Sequence, residues 1–472
     1  MNLIKTITSP AITIITLILT SKTKYSNIKQ NISKTAAILI LIQTISLHTH
    51  TTNSKSHITI IFTSDTTIDN TKIISTRLTI DTLSTILMTL TALLILTSLL
   101  ISEKTIYHTH TTLMLCLFTT LLILFLAFTT SSLINFYITF ESSVIPLIII
   151  IGLWGSRKEK IRATYYFLLY TITGSLPLFI AILILHNKTG TFNATLIQHQ
   201  TIDQQPQLLL FLGLFLAFAI KTPLIPWHAW LPLAHVEAPA IGSILLAGIL
   251  LKLGTYGFIR FTIPILTHTT TFIAPIIITI SIISMWLASL NSLRQNDIKR
   301  IIAYSSIAHM GIITAACFST NHISTKGAII LMISHGLTSS TLFLLVSCLY
   351  ERHKSRLLKS FQGSSYTTPT LSSLTIIAAL AHMSTPGTTN FIGEYLCLVG
   401  LWELHPSISI ISIASIIITT AYLLLLYIQI TSSKPPIYTK YKIQDLSRQE
   451  IQATLTLTTP NIAIGIIPYP II

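Results

Sequence analysis

Long apolar runs, parted by short polar stretches that carry most of the cations, make up almost the whole chain. They fall at 3–20, 35–48, 78–101, 111–130, 133–154, 163–185, 207–232, 238–263, 269–290, 298–319, 327–350, 368–401, 407–430 and 451–472. Most approach the ~20 residues that an α-helix needs to cross a bilayer, so the pattern predicts about fourteen transmembrane helices. The second run is short. The seventh is interrupted by Lys221-Thr222-Pro223, with Pro226 and Pro232 beyond, and the twelfth is long and contains Pro386-Gly387. Proline removes a backbone donor that lipid cannot replace, so helices seven and twelve are expected to be broken. Two such breaks five spans apart fit a pair of inverted five-helix repeats, about 111–263 and 269–430. Helices in 1–101 and 451–472 would flank them, the whole of 1–472 forming a single transmembrane domain. Within the long early loop at 49–77, ITIIF (58–62) reads as a short strand.

Composition agrees with this pattern. The 472 residues are 51% hydrophobic and 9% charged, against ~25% charged for a soluble domain. So few charges cannot cover a globular surface, and the fold class is an all-α polytopic membrane protein. The net charge of +15 would suit a nucleic-acid binder, but the cations are clustered in loops. Lys22, Lys24, Lys29 and Lys34 follow the first run, and Arg157, Lys158, Lys160 and Arg162 the fifth. Arg294, Lys299 and Arg300 follow the ninth, Arg352, Lys354, Arg356 and Lys359 the eleventh, and Lys434, Lys440, Lys442 and Arg448 the thirteenth. Odd-numbered loops therefore face the positive-inside compartment, with both termini opposite. Lys5 precedes the first apolar run without a small-residue cleavage site after it, so that run reads as a retained span rather than a signal peptide.

Among the ionisable groups within the apolar runs, six stand out: Glu141, Lys221, Lys252, His309, His335 and Glu394. At ~3 kcal/mol for each charged group facing lipid, the two lysines and two glutamates would cost about 10 kcal/mol. They are expected to face one another or a wet interior. An ammonium stripped of water holds its proton less tightly, and a nearby carboxylate restores the grip. A lysine–carboxylate pair of adjustable separation is thus a proton switch, and histidine can relay between such groups. The alternatives are plain: a glutamate near a membrane face can reach water, and a buried histidine is often only structural. The stretch PWHAWLPLAHVEAP adds His228, His235 and Glu237. It reads either as an interfacial loop anchored by its tryptophans or as a proton route leading to Lys221.

Other motifs carry less. Cys116, Cys317, Cys348 and Cys397 are scattered through apolar runs, which argues for buried hydrophobes rather than a metal or iron–sulfur site. His48/His50 and His108/His110 fall in loops on opposite faces and cannot share an ion. His309, His322 and His335 have a haem-like spacing, but His322 lies in a polar turn. Neither a dinucleotide fingerprint nor a Walker loop is present, so energy must come from partners or an ion gradient.

The segments AFAIKTPLIPWHAWLPLAHVEAPAIGSILLAGILLKLGTYGFIR, NFYITFESSVIPLIIIIGLWG, YYFLLYTITGSLPLF, LRQNDIKRIIAYSSIAHMGII, ISHGLTSSTLF and NFIGEYL closely resemble, in order, the subunit 4 family of mitochondrial NADH–ubiquinone oxidoreductase (complex I). The resemblance covers most of residues 130–400. It implies an antiporter-like membrane-arm subunit that couples electron transfer in partner subunits to proton translocation across the inner mitochondrial membrane. Both termini would lie on the intermembrane-space side. Flavin, iron–sulfur clusters and ubiquinone would belong to partners, none to this chain, and two sister antiporter-like subunits would be neighbours. By the resemblance, Glu141 tunes Lys221, Lys252 is the central-axis lysine, His309 and His335 are links in a hydrated axis, and Glu394 is the terminal proton carrier. His228, His235 and Glu237 are candidates for a relay. Two departures stand out: Leu233 where the family usually has lysine, and Pro386-Gly387 where it often has two prolines. The alternative is an Mrp-type cation/proton antiporter subunit driven by an ion gradient, in which the same lysines would serve.

Overall fold

A computed structural model of the chain describes residues 2–19, 26–54, 58–62, 76–102, 110–200, 204–431 and 444–468. Helices follow one another in the order of the apolar runs. Among the described residues, ten helices are long and apolar enough to cross a membrane, and Ile4–Leu19, Gln207–Lys221 and Pro369–His382 are shorter apolar ones. Thr389–Leu404 completes the twelfth span, and Arg448–Ile466 occupies the last.

Both expected breaks are present. The seventh helix ends at Lys221 and, after a short turn, the chain re-forms a helix at Trp230–Glu237. The stretch read as a loop through 226–239 is thus largely helical. Nor does Trp230 sit at an interface: it is fully buried, and its indole N–H donates to the carbonyl of Ile220 at 2.9 Å. That bond matters because Pro223 and Pro226 cannot supply donors to the carbonyls left open at the helix end. The twelfth span is split into Pro369–His382 and Thr389–Leu404. Gly387 adopts φ +92° within the split, a conformation that favours glycine, so the residue departing from the family pattern here is one the turn itself uses.

Three helices form the centre. Ala240–Ile265, Ile298–Phe318 and His322–His353 are buried along almost their whole length, whereas Pro406–Thr431 and Lys160–Thr189 turn broad apolar faces outward. Outward residues such as Ile172, Ile180, Ile417 and Leu424 suit lipid. In lipid, helices are drawn together by close packing and hydrogen bonds rather than by apolar burial. Gly254 shows how: a Cβ there would collide with Thr222 and the Phe218 carbonyl, so glycine lets the Lys252 helix lie directly on the Lys221 break. The abundant buried serines and threonines return their hydroxyls to their own helices, as Thr91 does to Met88 and Ser98 to Ile95.

Strands Ile58–Phe62 and Thr76–Ile80 pair antiparallel, with Ile58 opposite Ile80 and Phe62 opposite Thr76. The first is the strand expected at 58–62. The second takes the start of the apolar run at 78–101, so the helix begins only at Thr82. His48 and His50 lie within helix Ser26–Ser54 rather than in a loop, and His48 Nδ1 meets the Thr85 hydroxyl at 3.0 Å; His108 falls outside the described residues. His322 is exposed at the first turn of its helix, about 20 Å along the axis from His335 at 1.5 Å per residue.

The loops after the fifth, ninth and eleventh spans meet at one end of the bundle. Ile298 N–H donates to the Arg356 carbonyl (3.1 Å), Leu358 N–H to Asn296 (3.0 Å), and the Arg356 guanidinium to the Ser156 hydroxyl (2.6 Å). Two cations read as solvated loop charges are in fact buried there: Lys299 is 3% and Arg356 4% exposed. Helix Ile298–Phe318 begins early enough to draw Lys299 inside, with Asp297 capping it through a 3.0 Å bond from Lys299 N–H.

Candidate functional site

Two groups of ionisable side chains occupy the interior. In the first, Lys221 stands at the end of its helix and is 2% exposed. Its ammonium donates to the Phe140 carbonyl at 2.7 Å and the Ser143 hydroxyl at 3.4 Å, and lies 3.3 Å from the centre of the Phe140 ring. The facing helix is itself interrupted at Ser143, between Leu133–Ser142 and Val144–Trp154, with Pro146 withholding the next donor. Glu141, on that same turn, is half-buried and within Coulombic reach of Lys221. Its buried Oε1 has no hydrogen-bond partner. The lysine is therefore held by backbone, hydroxyl and ring, with a carboxylate in range but not in contact.

The second group runs through the central helices. Lys252 and His335 are both fully buried, and Lys252 Nζ lies 2.8 Å from His335 Nδ1. Lys252 also donates to the Ala247 carbonyl at 2.5 Å. Its helix is wound as π-helix over Leu246–Leu250 and again over Phe258–Thr262, a feature that loosens the carbonyl ladder and recurs at functional positions. The His335 ring lies 5.5 Å from that of His309, and His309 Nδ1 lies 3.1 Å from Glu394 Oε1. Glu394 belongs to the second half of the broken twelfth span and is 5% exposed.

The structure thus brings Lys252, His335, His309 and Glu394 into one line, and places Glu141 beside Lys221. It does not join the Trp230–Glu237 residues to Lys221. His228 is half-buried beside Tyr304, with ring centres 6.5 Å apart. His235 stacks on Phe343 at 4.3 Å and lies within electrostatic range of Lys299 and Lys252. Glu237 pairs with Arg356 at 3.0 Å. Leu233 is half-buried on the same helix.

One member of the central group is absent from the sequence reading. His382 ends the first half of the twelfth span, fully buried, 4.4 Å from the His309 ring and 5.8 Å from that of His335. Its nitrogens meet the hydroxyls of Thr338 (3.2 Å) and Ser305 (3.1 Å). In sequence it lies inside the apolar run 368–401, and its one distinguishing signal is its position just before Pro386-Gly387.

Chemically, the second group lines up three basic side chains and one carboxylate at distances a proton can cross directly or through one water. Among the described residues, no cluster of histidine, cysteine, aspartate or glutamate has the form of a metal site, and the cysteines are free.

Known proteins resemble the chain in sequence and in fold. Residues 130–419 match the transmembrane family model described as NADH:quinone oxidoreductase/Mrp antiporter. NADH-ubiquinone oxidoreductase chain 4 of Marchantia polymorpha is 45% identical over 343 residues, 72% of this chain and 69% of the relative. The chain 4 protein of Acanthamoeba castellanii is 39% identical over 370 residues, 78% of this chain and 74% of the relative. Among solved structures, a chain of respiratory complex I from Thermus thermophilus superimposes with TM-score 0.88 at 24% identity, covering 99% of this chain and 96% of that one. A chain of the Mrp complex from Dietzia does so with TM-score 0.84 at 16% identity, covering 98% and 94%. At these identities the two structures establish the shared fold, while the closer sequences separate the complex I branch from the antiporter branch. The chain belongs to the NADH-ubiquinone oxidoreductase chain 4 family of antiporter-like membrane subunits.

Proposed function

We propose that this membrane subunit of complex I carries protons along Lys252, His335, His309 and Glu394, with Glu141 and Lys221 as the switch that sets the charge of the line. The observation that carries the reading is the succession of these groups across the buried centre. Lys252 meets His335 at 2.8 Å, the His335 and His309 rings are 5.5 Å apart, and His309 meets Glu394 at 3.1 Å. Movement of the Glu141 carboxylate relative to Lys221 changes how strongly the lysine holds its proton. The neighbouring Lys252 helix, packed on the Lys221 break through Gly254, feels that change. Electron transfer from NADH to ubiquinone belongs to partner subunits, which hold the flavin, the iron–sulfur clusters and the quinone; this chain holds no redox group. The remaining assignments are two inverted five-helix repeats, the two sister antiporter-like subunits as neighbours, and the inner mitochondrial membrane with both termini on the intermembrane-space side.

The test is Lys252→Met in the intact complex, reconstituted into sealed vesicles. NADH oxidation with an artificial electron acceptor is expected to persist while quinone-linked proton uptake falls at least tenfold. Full pumping in an assembled Lys252→Met complex would reduce the subunit to a scaffold.

A further inference from the structure

Two successive residues of helix Lys160–Thr189 bear on the two members of the Glu141–Lys221 pair. Gly174 lies against Ile220, the residue before Lys221: a Cβ there would stand 2.7 Å from the Ile220 Cδ1. Ser175, buried like Gly174, points about 100° further round the helix. A pair of rings fixes the register against helix Leu133–Ser142: Tyr137 stacks on Phe179, the centres 5.1 Å and the planes 30° apart. Leu133–Trp154 and Lys160–Thr189 are consecutive spans and run antiparallel. One turn on from Tyr137 therefore stands opposite one turn back from Phe179, which sets Glu141 against Ser175. The Ser175 hydroxyl faces both the Glu141 carboxylate and the Tyr137 phenol. On the other side of the same turn, the Phe140 carbonyl and ring hold Lys221. Glu141 Oε1 is buried without a partner, while the Ser175 hydroxyl donates to the Ile172 carbonyl of its own helix at 3.1 Å. A serine can exchange such a back-bond for a charged acceptor, which binds it more strongly.

We infer that Ser175 is the dock that holds the Glu141 carboxylate away from Lys221. The dock rests on the Glu141–Lys221 switch proposed above and is its open position. A serine hydroxyl has one proton and two lone pairs. Turned from Ile172 to Glu141 it donates to the carboxylate, and the Tyr137 phenol can donate to it in turn. In this position the Lys221 ammonium keeps the Phe140 carbonyl and the Ser143 hydroxyl, so neither charge is stranded. When the carboxylate leaves for Lys221, Ser175 returns its proton to Ile172. Gly174, packed on Ile220, fixes the distance between the dock and Lys221, so the carboxylate alone has to move. Among the described residues, Lys221 and Tyr137 are the titratable groups that face Glu141. Ser175 is thus a positioning residue: it carries no proton along the line and acts through Glu141.

The experiment measures quinone-linked pumping against pH for the intact complex in sealed vesicles. Ser175→Ala removes the hydroxyl without adding bulk, so assembly and artificial-acceptor activity are expected to persist. The carboxylate then stays with Lys221. Pumping is expected to fall about tenfold, the order set by one hydrogen bond to a charged group, and its pH profile to move to higher pH. Tyr137→Phe keeps the ring on Phe179 and is expected to move the profile the same way by less. Ser175→Ala added to Glu141→Gln is expected to leave the residual pumping of Glu141→Gln unchanged. An equal fold loss in both backgrounds would make Ser175 a packing residue and overturn the dock. Wild-type pumping and pH profile in Ser175→Ala overturn it too, while a loss in Glu141→Gln leaves the switch standing. If Glu141→Gln itself pumps like the wild type, the switch and the dock fall together.

Discussion

His309 Nδ1 and Glu394 Oε1 lie 3.1 Å apart between two helices that the chain reaches 85 residues apart in number, and both side chains are nearly inaccessible to solvent. The carboxylate comes from the half-helix after the break and the imidazole from a central continuous helix. Replacing Glu394 by glutamine keeps the shape and removes the proton acceptor. Positioned acid–base groups contribute about a hundredfold or more, so quinone-linked pumping by Glu394→Gln is expected to fall by that order. Acidification traces from reconstituted vesicles check it; wild-type traces would remove Glu394 from the route.

His382 tests whether the third imidazole orients the other two. Thr338 and Ser305 already donate to carbonyls of their own helices, so His382→Leu leaves no hydroxyl without a partner. The lost bonds should cost only about 1 kcal/mol, too little to prevent assembly. Pumping should nevertheless drop and its pH profile shift, because the His309 ring loses a neighbour 4.4 Å away. His382→Asn, which restores a hydrogen-bonding group, should recover part of the rate. A merely structural role would show a lowered melting temperature with an unmoved pH profile.

The Glu237–Arg356 pair is buried on both sides. Arg356→Gln strands a carboxylate in the interior, a change worth about 3–5 kcal/mol when one partner of a buried pair is removed. Arg356→Gln combined with Glu237→Gln should regain most of that loss. Thermal unfolding of the assembled complex for the two single variants and the double variant gives the coupling directly, and simple additivity would count against the pair.

Asp445 supplies a pH dependence outside the spans. Burial alone would raise its pKa. The hydroxyl and amide of Thr370, with the amides of Leu446 and Leu371, outweigh that and hold the carboxyl below its ordinary 3.8. A depressed carboxyl stabilises the fold above its unfolded value, and the contribution is lost as pH falls from about 3.8 through the folded value. Since Asp445 caps helix Pro369–His382 through Thr370 (2.8 Å) and Leu371 (3.2 Å), the protection of those two amides against hydrogen exchange should fall across that window. Asp445→Asn should weaken the protection near neutrality and flatten its pH dependence.

The order of the spans, the two breaks and the identities of most buried ionisable groups were legible because each is a local property. Twenty apolar residues need a membrane, a proline ends a hydrogen-bond ladder, and a lysine such as Lys221 or Lys252 has no cheap place in lipid. The helical course of 230–237 was hidden, since Pro226 and Pro232 suggested irregular backbone when the first lies in the turn and the second near the start of a helix.

Which groups meet is a different kind of fact, decided by the tertiary structure. The sequence by itself determined that Lys221, Lys252, Glu141 and Glu394 had to avoid lipid, because that penalty depends on depth alone. It could not say that Lys252 meets His335, that His382 joins them, or that Lys299 and Arg356 are buried at the end of the bundle. Those outcomes depend on how closely helices approach, as Gly254 permits against Thr222, and on where each helix begins, as Asp297 fixes for Lys299. Electrostatic coupling falls steeply with separation in a medium of low polarity, so proton chemistry is settled by ångströms that only packing supplies.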